Sequence, residues 1–184
     1  MKHTILVIRL IFVIILSSIY LMSCENDEKK VNAFFEKKLG VDKILNVTSY
    51  MSQKGKMKAK LTAPIMLRFQ DTSSRIELPK TLHIDFYDSI MHIESKLDAL
   101  FARYYENDNK VFLQDSIRVY NIKGDTLFCK ELWWDQRLQK FFTEKAVRIH
   151  TPDMIMYGQG LSAPQNFKTF EIYKVTNSVI RVEN

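Results

Sequence analysis

The sequence predicts an all-β antiparallel domain behind a short N-terminal targeting segment. Apolar and polar residues alternate with a period of two in stretches such as Leu82–Phe86, Ile117–Val119 and Val147–His150, which is typical of half-buried strands. Turn-forming residues such as Lys54-Gly55 and Lys123-Gly124-Asp125 separate these stretches at regular intervals. No long helical pattern follows the first 40 residues, so we expect antiparallel strands joined by short turns.

The first 23 residues resemble a bacterial lipoprotein signal peptide. Lys2 and Arg9 provide a basic start, and the uncharged run LIFVIILSSIY over residues 10–20 has the length of a signal-peptide core. The four residues Leu-Met-Ser-Cys that end at Cys24 resemble a lipobox. This resemblance implies cleavage after Ser23 and lipidation of Cys24, and several acyl chains on one cysteine give stable membrane attachment.

An uncleaved signal anchor is the alternative. The run from Ile5 to Met22 is apolar and is interrupted only by Arg9, so it approaches the roughly 20 residues that a membrane-spanning helix needs. In either case Lys2 and Arg9 keep the N-terminus in the cytoplasm. We therefore expect the rest of the chain at the periplasmic face of the inner membrane, anchored by lipidated Cys24 or by an N-terminal helix.

The composition limits the mature chain to one domain. Removal of 23 of the 184 residues leaves 161, and the loss of Lys2 and Arg9 lowers the net charge from +6 to +4. This length suffices for one core, and the charge is too small and diffuse for nucleic-acid binding. Cys129 is the one cysteine besides Cys24 and lies in an apolar stretch. A buried, inert thiol is therefore favoured over a reactive one.

Residues 24–45 are predicted to link the anchor to the domain. The segment DEKKVNAFFEKKL over residues 27–39 places four apolar residues on one helical face: Val31, Phe34, Phe35 and Leu39. Because Gly40 follows as a stop signal, we expect a short amphipathic helix or ordered linker here. We place the β domain at residues 46–175 and a C-terminal tail or edge strand at residues 176–184.

Two twelve-residue segments form a faint internal repeat. KVFLQDSIRVYN from Lys110 and KFFTEKAVRIHT from Lys140 align without gaps at an offset of 30 residues, and Arg118 aligns with Arg148. Stacked hairpins in a solenoid-like sheet produce such a repeat. Chance alternation in a β protein is the alternative.

Some predicted strands are apolar on both faces, which is not expected of a small sheet with one solvent-exposed face. In KLDALFARYY over residues 96–105, we expect a single strand with Leu97, Ala99 and Phe101 on one face and Leu100, Ala102 and Tyr104 on the other. The sequence does not determine which face points inward. Covering loops or a protein partner would explain this composition. A folded-over sheet whose inner groove takes acyl chains would explain it too, and Leu97, Ala99 and Phe101 are then the candidate groove residues.

The sequence contains no catalytic signature. G-x-S-x-G, a phosphate-binding glycine loop and C-x-x-C are all absent. His83-Ile84-Asp85 and His92-Ile93-Glu94 flank a turn, and a solvated polar face with cross-strand pairs is favoured over a metal site. Glu131, Asp135 and Glu144 are scattered, whereas a hydrolase of envelope lipids or glycans would require acids clustered in a pocket. We expect no enzymatic activity, metal or cofactor.

The order of segments carries a family resemblance. The matching stretches are SYMSQKGKMKAKLTAPIM (49–66), RIELPKTLHIDFYD (75–88) and residues 96–163, with GDTL (124–127), LWWD (132–135) and GQGL (158–161) as the most telling pieces. This order resembles the LptC-like component of the lipopolysaccharide export system, in the lipobox-bearing form of Bacteroidetes-type proteins. The departure from many relatives is the lipobox, since they keep a transmembrane helix.

The resemblance implies a fold, a function and partners. The fold is an open antiparallel β-jelly roll of the OstA/LptA type, with a groove for lipid A acyl chains. The implied function is non-enzymatic: the protein accepts lipopolysaccharide from an inner-membrane ABC-type extractor and passes it to a periplasmic β-jelly-roll bridge through docked sheet edges. A structural or binding envelope lipoprotein, with a β-sandwich that holds a protein or glycan partner, is the alternative function.

Overall fold

Eleven antiparallel strands form the domain. The structure, a computed structural model, describes residues 40–70 and 74–180. The strands are β1 (Val41–Gln53), β2 (Lys56–Phe69), β3 (Arg75–Leu78), β4 (Leu82–Tyr87), β5 (Ile93–Ala99), β6 (Phe101–Tyr105), β7 (Lys110–Asn121), β8 (Thr126–Asp135), β9 (Lys140–His150), β10 (Met154–Pro164) and β11 (Glu171–Ile180). No helix occurs among these described residues. The prediction of an all-β antiparallel domain is confirmed.

The ends of the domain differ from the predicted limits. The first strand begins at Val41 and the last continues to Ile180, so residues 46 and 175 fall inside β1 and β11. The predicted signal peptide, Cys24 and the helix at residues 27–39 lie outside the described residues. The strand that reaches Ile180 lies at the end of the sheet, in the position of an edge strand.

A closed ring of six strands forms the centre of the sheet. Along one path β2 pairs with β4, β4 with β5 and β5 with β7; along the other β2 pairs with β3, β3 with β6 and β6 with β7. The long strands β2 and β7 take part in both paths because each pairs with different neighbours along its length. From this ring β1 extends the sheet beyond β2, and β8 to β11 extend it beyond β7.

The ring folds the sheet over so that its inner faces pack on each other. Phe86 of β4 contacts the rings of Trp134 and Phe141 at centroid distances of 5.0 and 5.6 Å. Trp134 pairs with Val111 in the first half of β7, whereas β5 brings its neighbour β4 against the second half. Each fully buried Leu, Ile or Phe side chain of this core contributes about 1.5–3 kcal/mol by leaving water.

The internal repeat corresponds to β7 and β9. Both strands show the same burial pattern, with inward-facing residues at the two ends and three consecutive exposed residues in the middle. The exposed residues lie at register shifts, where β7 gains one residue over β8 and β9 gains one over β8 and β10. Bulges of this kind bend a strand, so the repeat marks the line along which the sheet folds over.

Candidate functional site

An apolar cavity of about 250 Å³ lies between the two inner faces at the β1 end of the sheet. Its wall is mostly aliphatic and aromatic and comes from seven strands: Ser49, Tyr50, Met51, Ala59, Leu61, Met66, Ile76, Leu78, Ile84, Ala102, Tyr104, Val111 and Trp134, together with Gln136 of the following turn. Side chains alternate between the two faces of a strand. β4 buries every second residue, and the buried residues of β2, β3 and β6 (Ala59, Ala63, Leu78 and Ala102) mark their inner faces. The cavity exceeds the about 150 Å³ that holds a benzene molecule.

A cluster of three aromatic rings closes the inner end of the cavity. Trp134 lines the cavity, and behind it Phe86 and Phe141 are fully buried. The three rings meet edge-on or tilted at centroid distances of 5.0 to 6.5 Å. The indole Nε1 of Trp134 is buried without a hydrogen-bond partner, so packing alone holds this side chain.

A polar concavity of about 250 Å³ adjoins the cavity and shares Met51 and Gln136 with it. Arg137 lies in its wall, and no ion pair of Arg137 occurs among residues 40–70 and 74–180. The apolar cavity beside the polar concavity, which forms a cationic rim, matches the chemistry of an amphiphile with an acyl chain and an anionic head.

The interior at the opposite end of the sheet is filled by the loop at residues 165–170. Phe167 is fully buried and stacks on Phe170 at 5.6 Å. The loop is fastened to the ring because Asn121 Nδ2 donates to the carbonyl of Phe167 at 2.8 Å and Ser95 Oγ donates to that of Gln165 at 2.5 Å. The interior at the β1 end therefore contains the apolar cavity, whereas the interior at the β11 end is filled by side chains of the protein.

The predicted groove residues do not share one strand. Leu97 and Ala99 belong to β5 and are buried in the core at 0% and 2% exposure. The chain bends at Leu100, whose amide donates to the carbonyl of Asp115, and β6 then begins at Phe101. Since Ala102 is the buried residue there, Phe101 is turned away from the core and its ring lies 5.7 Å from the guanidinium of Arg103. A role of these residues in lipid binding stays a prediction.

Sequence reasoning missed the residues that line the cavity. Their strands come together only through non-local pairings, such as Leu61 with Ile84 and Leu78 with Ala102. Trp134 lies in the LWWD segment that carried the family resemblance, which is the one signal that pointed toward this wall. The neighbouring Trp133 belongs to the outer face, where it stacks on Phe142.

Both ends of the sheet present open edge strands. Within residues 40–70 and 74–180, β1 pairs with β2 alone and β11 with β10 alone. Both strands carry large exposed apolar side chains: Ile44, Leu45 and Tyr50 on β1, and Tyr173, Val175, Val179 and Ile180 on β11. Unpaired backbone groups along such strands are templates for pairing with another strand.

The outer face of β4, β5 and β7 carries a polar ladder. Asp98 accepts hydrogen bonds from Arg118 at 2.8 Å and contacts His83 Nδ1 at 2.6 Å, and Asp85 contacts His83 and Lys96 at 3.1 and 3.6 Å. Partial burial opposes ionisation of Asp98, but the hydrogen bonds from His83 and Arg118 outweigh it and lower its pKa. These contacts are the cross-strand pairs of a polar face.

His92 and Cys129 lie on separate elements, the β4–β5 turn and β8. His92 lies in the turn after β4, where its amide donates to Asp88 and its side chain is exposed. Within the described ranges no three His, Cys, Asp or Glu side chains are grouped as a metal site requires. Cys129 is partly buried, and this burial raises the pKa of its thiol to about 12.

A concavity of about 610 Å³ lies on the outside where the two paths of the ring part, and its wall includes the hydroxyl residues Thr48, Thr62, Thr81 and Ser116. It is open to solvent and lacks the enclosed apolar wall of the cavity at the β1 end. No helix in the described ranges has the length and apolar character to cross a membrane.

Comparison with known proteins identifies the family. A family described as lipopolysaccharide assembly, LptC-related, matches residues 7–181, and no curated protein matches significantly. LptC proteins are non-enzymatic components of lipopolysaccharide transport that are associated with the inner membrane on its periplasmic side. Because the match spans nearly the whole sequence and the fold agrees with it, the chain belongs to the LptC family.

Proposed function

We propose that this protein is a membrane-anchored periplasmic carrier that accepts lipopolysaccharide from an inner-membrane ABC transporter and passes it to a β-jelly-roll bridge. The observation that carries the proposal is the apolar cavity beside the open β1 edge. Acyl chains of lipid A would leave water by entering the cavity, which is favourable in proportion to the apolar area that they bury. Arg137 at the rim supplies a cation for a phosphate.

The two edges give the transfer a direction. The apolar cavity lies at the β1 end, whereas the interior at the β11 end is filled. Because lipid must enter where there is room for it, we assign the β1 edge to the protein that donates the lipid and the β11 edge to the protein that accepts it. Each contact would be made by backbone hydrogen bonds between edge strands, and the exposed apolar side chains of β1 and β11 would supply specificity. The chain lacks a nucleotide-binding motif, so the energy of transfer would come from the transporter.

We assign membrane attachment to lipidated Cys24 after cleavage behind Ser23. An uncleaved helix over Ile5–Met22 is the alternative anchor, and mass spectrometry of the purified protein distinguishes the two. A mature chain that begins at an acylated Cys24 supports the lipoprotein form, and a chain that retains residues 1–23 contradicts it.

Site-specific photocrosslinking in cells tests lipid binding. We expect crosslinkers at Leu61 and Ile76, which line the cavity, to form lipopolysaccharide adducts. The neighbouring Lys60 and Glu77 alternate to the outer face and serve as matched controls, because Lys60 pairs across the sheet with Asp85 and Glu77 forms an ion pair with Arg103. Adducts at inner positions alone support the proposal.

The same experiment identifies the alternative function. Protein adducts without lipid at Leu61 and Ile76 would contradict a carrier and favour a binding lipoprotein. Crosslinkers at exposed positions of β1 and β11, such as Leu45 and Tyr173, test the two docking edges in parallel. We expect different protein partners at the two positions, and the same partner at both would contradict the direction of transfer.

A further inference from the structure

The two copies of the internal repeat differ in how they use one arginine. Arg118 of β7 and Arg148 of β9 occupy equivalent positions, and each guanidinium lies over an aromatic ring, at 4.7 Å from Tyr120 and 4.6 Å from Phe128. Arg118 is neutralised by Asp98 at 2.8 Å. Arg148 has no carboxylate partner among the described residues.

A concavity of about 580 Å³ lies beside Arg148 on the outer face. It occupies an interruption of the β8–β9 ladder, where no residues pair between Cys129–Val147 and Trp133–Phe142. Its wall is lined by the rings of Phe128 and Tyr157 and by the charged residues Lys130, Glu131, Lys145 and Arg148. Bulges interrupt a ladder and re-aim side chains, and they are over-represented next to active sites.

The charges in this concavity are unbalanced. Three cations, Lys130, Lys145 and Arg148, face one carboxylate, Glu131. Glu131 is 3.7 Å from Lys145, and these side chains are 38% and 61% exposed, so the pair is weak. Two positive charges therefore remain, and an anion bound among them would relieve their mutual repulsion.

The aromatic side chains indicate what carries the anion. Phe128 holds the planar guanidinium of Arg148 in place, which reduces the entropy that the arginine loses on binding. Tyr157 pairs with Arg148 across the β9–β10 ladder and is 38% exposed. Its ring is available to pack against the apolar face of a sugar, while its hydroxyl can hydrogen-bond to the sugar's hydroxyls.

We propose that the concavity between β8, β9 and β10 binds an acidic saccharide, with its phosphate or carboxylate on Arg148, Lys130 and Lys145 and its ring against Tyr157. The site lies on the outer face, separate from the apolar cavity, and does not depend on the proposed transport function. A phosphate and a carboxylate make the same contacts with this cation set, so the test includes both.

Calorimetric titration of the purified full-length protein in detergent micelles tests the proposal. The probes are glucose 6-phosphate, glucuronic acid, inorganic phosphate and neutral glucose. We expect one or both acidic sugars to bind at least about tenfold more tightly than glucose and than inorganic phosphate, and more weakly as salt is added. Tighter binding of the sugar phosphate identifies a phosphorylated ligand, and tighter binding of glucuronic acid a carboxylated one.

Matched variants assign the residues. Arg148→Gln is expected to weaken binding of the acidic sugar by about tenfold or more, since charge-assisted hydrogen bonds are lost, and Arg118→Gln is expected to leave it unchanged. Tyr157→Ala is expected to reduce sugar-phosphate affinity to that of inorganic phosphate. Thermal unfolding of the variants controls for changes in stability.

Several results would overturn the proposal. Equal losses for Arg148→Gln and Arg118→Gln would show a diffuse charge effect. Equal affinity for inorganic phosphate and the sugar phosphate, with no preference for glucuronic acid, would leave an anion site without a saccharide. No measurable binding of either acidic sugar would exclude the site. None of these results bears on lipid crosslinks at Leu61 and Ile76, so failure of this proposal and failure of the transport function are distinguishable.

Discussion

The two ends of the folded-over sheet differ in how their interiors are filled. Under β1 and β2 the inner faces enclose an apolar cavity of about 250 Å³, whereas under β10 and β11 the loop at residues 165–170 inserts the fully buried Phe167. Both ends carry open edge strands of similar character. The difference teaches that antiparallel pairing of the same kind leaves room for a ligand at one end only, because the loop at residues 165–170 fills the other end.

The largest expected effect on stability comes from truncating Phe167, the side chain with which the loop at residues 165–170 fills the β11 end. Phe167→Ala removes a fully buried ring and should lower the free energy of unfolding by about 3–5 kcal/mol. Met51→Ala, at the rim of the cavity, is the matched control and should lower it by less than about 2 kcal/mol because its side chain already borders empty space. Urea unfolding followed by tryptophan fluorescence measures both, and equal losses would contradict the difference between the ends.

Two glycines provide a milder comparison of the same ends. Gly55 in the β1–β2 turn and Gly160 in β10 both have left-handed backbones, with φ of +74° and +77°. A Cβ at Gly55 meets nothing within 4 Å, whereas one at Gly160 would lie 2.5 Å from Tyr173 Cδ2. Gly55→Ala should therefore lower the free energy of unfolding by about 1–2 kcal/mol.

Gly160→Ala should have a larger effect, because Tyr173 must move as well. We expect faster hydrogen exchange at the amides of β11 in this variant and unchanged exchange in β1. Protection of β11 equal to that of the wild type would show that this edge does not depend on the close approach of β10. Lipid crosslinking at Leu61 should persist in both variants.

Acid stability tests the polar ladder that joins the strands between the two ends. The pKa of Asp98 is lowered from its ordinary value of 3.8 in the folded protein. Its stabilising contribution is therefore complete above pH 3.8 and is lost as the pH falls through the folded pKa. Asp98→Asn should reduce stability above this range and make the acid limb shallower, while Asp153→Asn, exposed in the β9–β10 turn, should leave both unchanged.

Thiol labelling of Cys129 is the test with the smallest expected effect. It reports on the line along which the sheet folds over. With a pKa of about 12, only about one Cys129 thiol in ten thousand is ionised at pH 8. Iodoacetamide should therefore leave Cys129 unmodified in the native protein and modify it after unfolding in urea, as seen by peptide mass spectrometry. Rapid labelling of the native protein would show that the bend between the two ends opens readily.

The sequence predicted local features well and non-local ones poorly. The alternation of β4 and the repeat in β7 and β9 follow from residue spacing alone, and their burial patterns confirm it. The single strand predicted through Leu97 and Phe101 was wrong, because the chain bends at Leu100 so that β5 and β6 join different paths of the ring. The alternation of apolar and polar residues gives no sign of such a bend.

The candidate site was less predictable than the fold. An inner groove was expected, but its lining was assigned to Leu97, Ala99 and Phe101, whereas the cavity is lined by residues such as Leu61, Ile76 and Trp134. Which inward-facing residues border a cavity depends on side-chain packing between strands distant in sequence. The cationic concavity on β8 to β10 depends likewise on a register shift between neighbouring strands.

The closed ring has a consequence for how the chain folds. The ring joins β2 to β7 and so needs contacts between residues that are far apart in sequence, while β8 to β11 each pair with the strand just before them. We expect the ring to form late relative to local hairpins and to limit the folding rate. Strands β8 to β11 extend the ring by local pairing, but the loop at residues 165–170 returns to Ser95 and Asn121. The β10–β11 hairpin therefore completes the core of the ring and cannot be lost without exposing it.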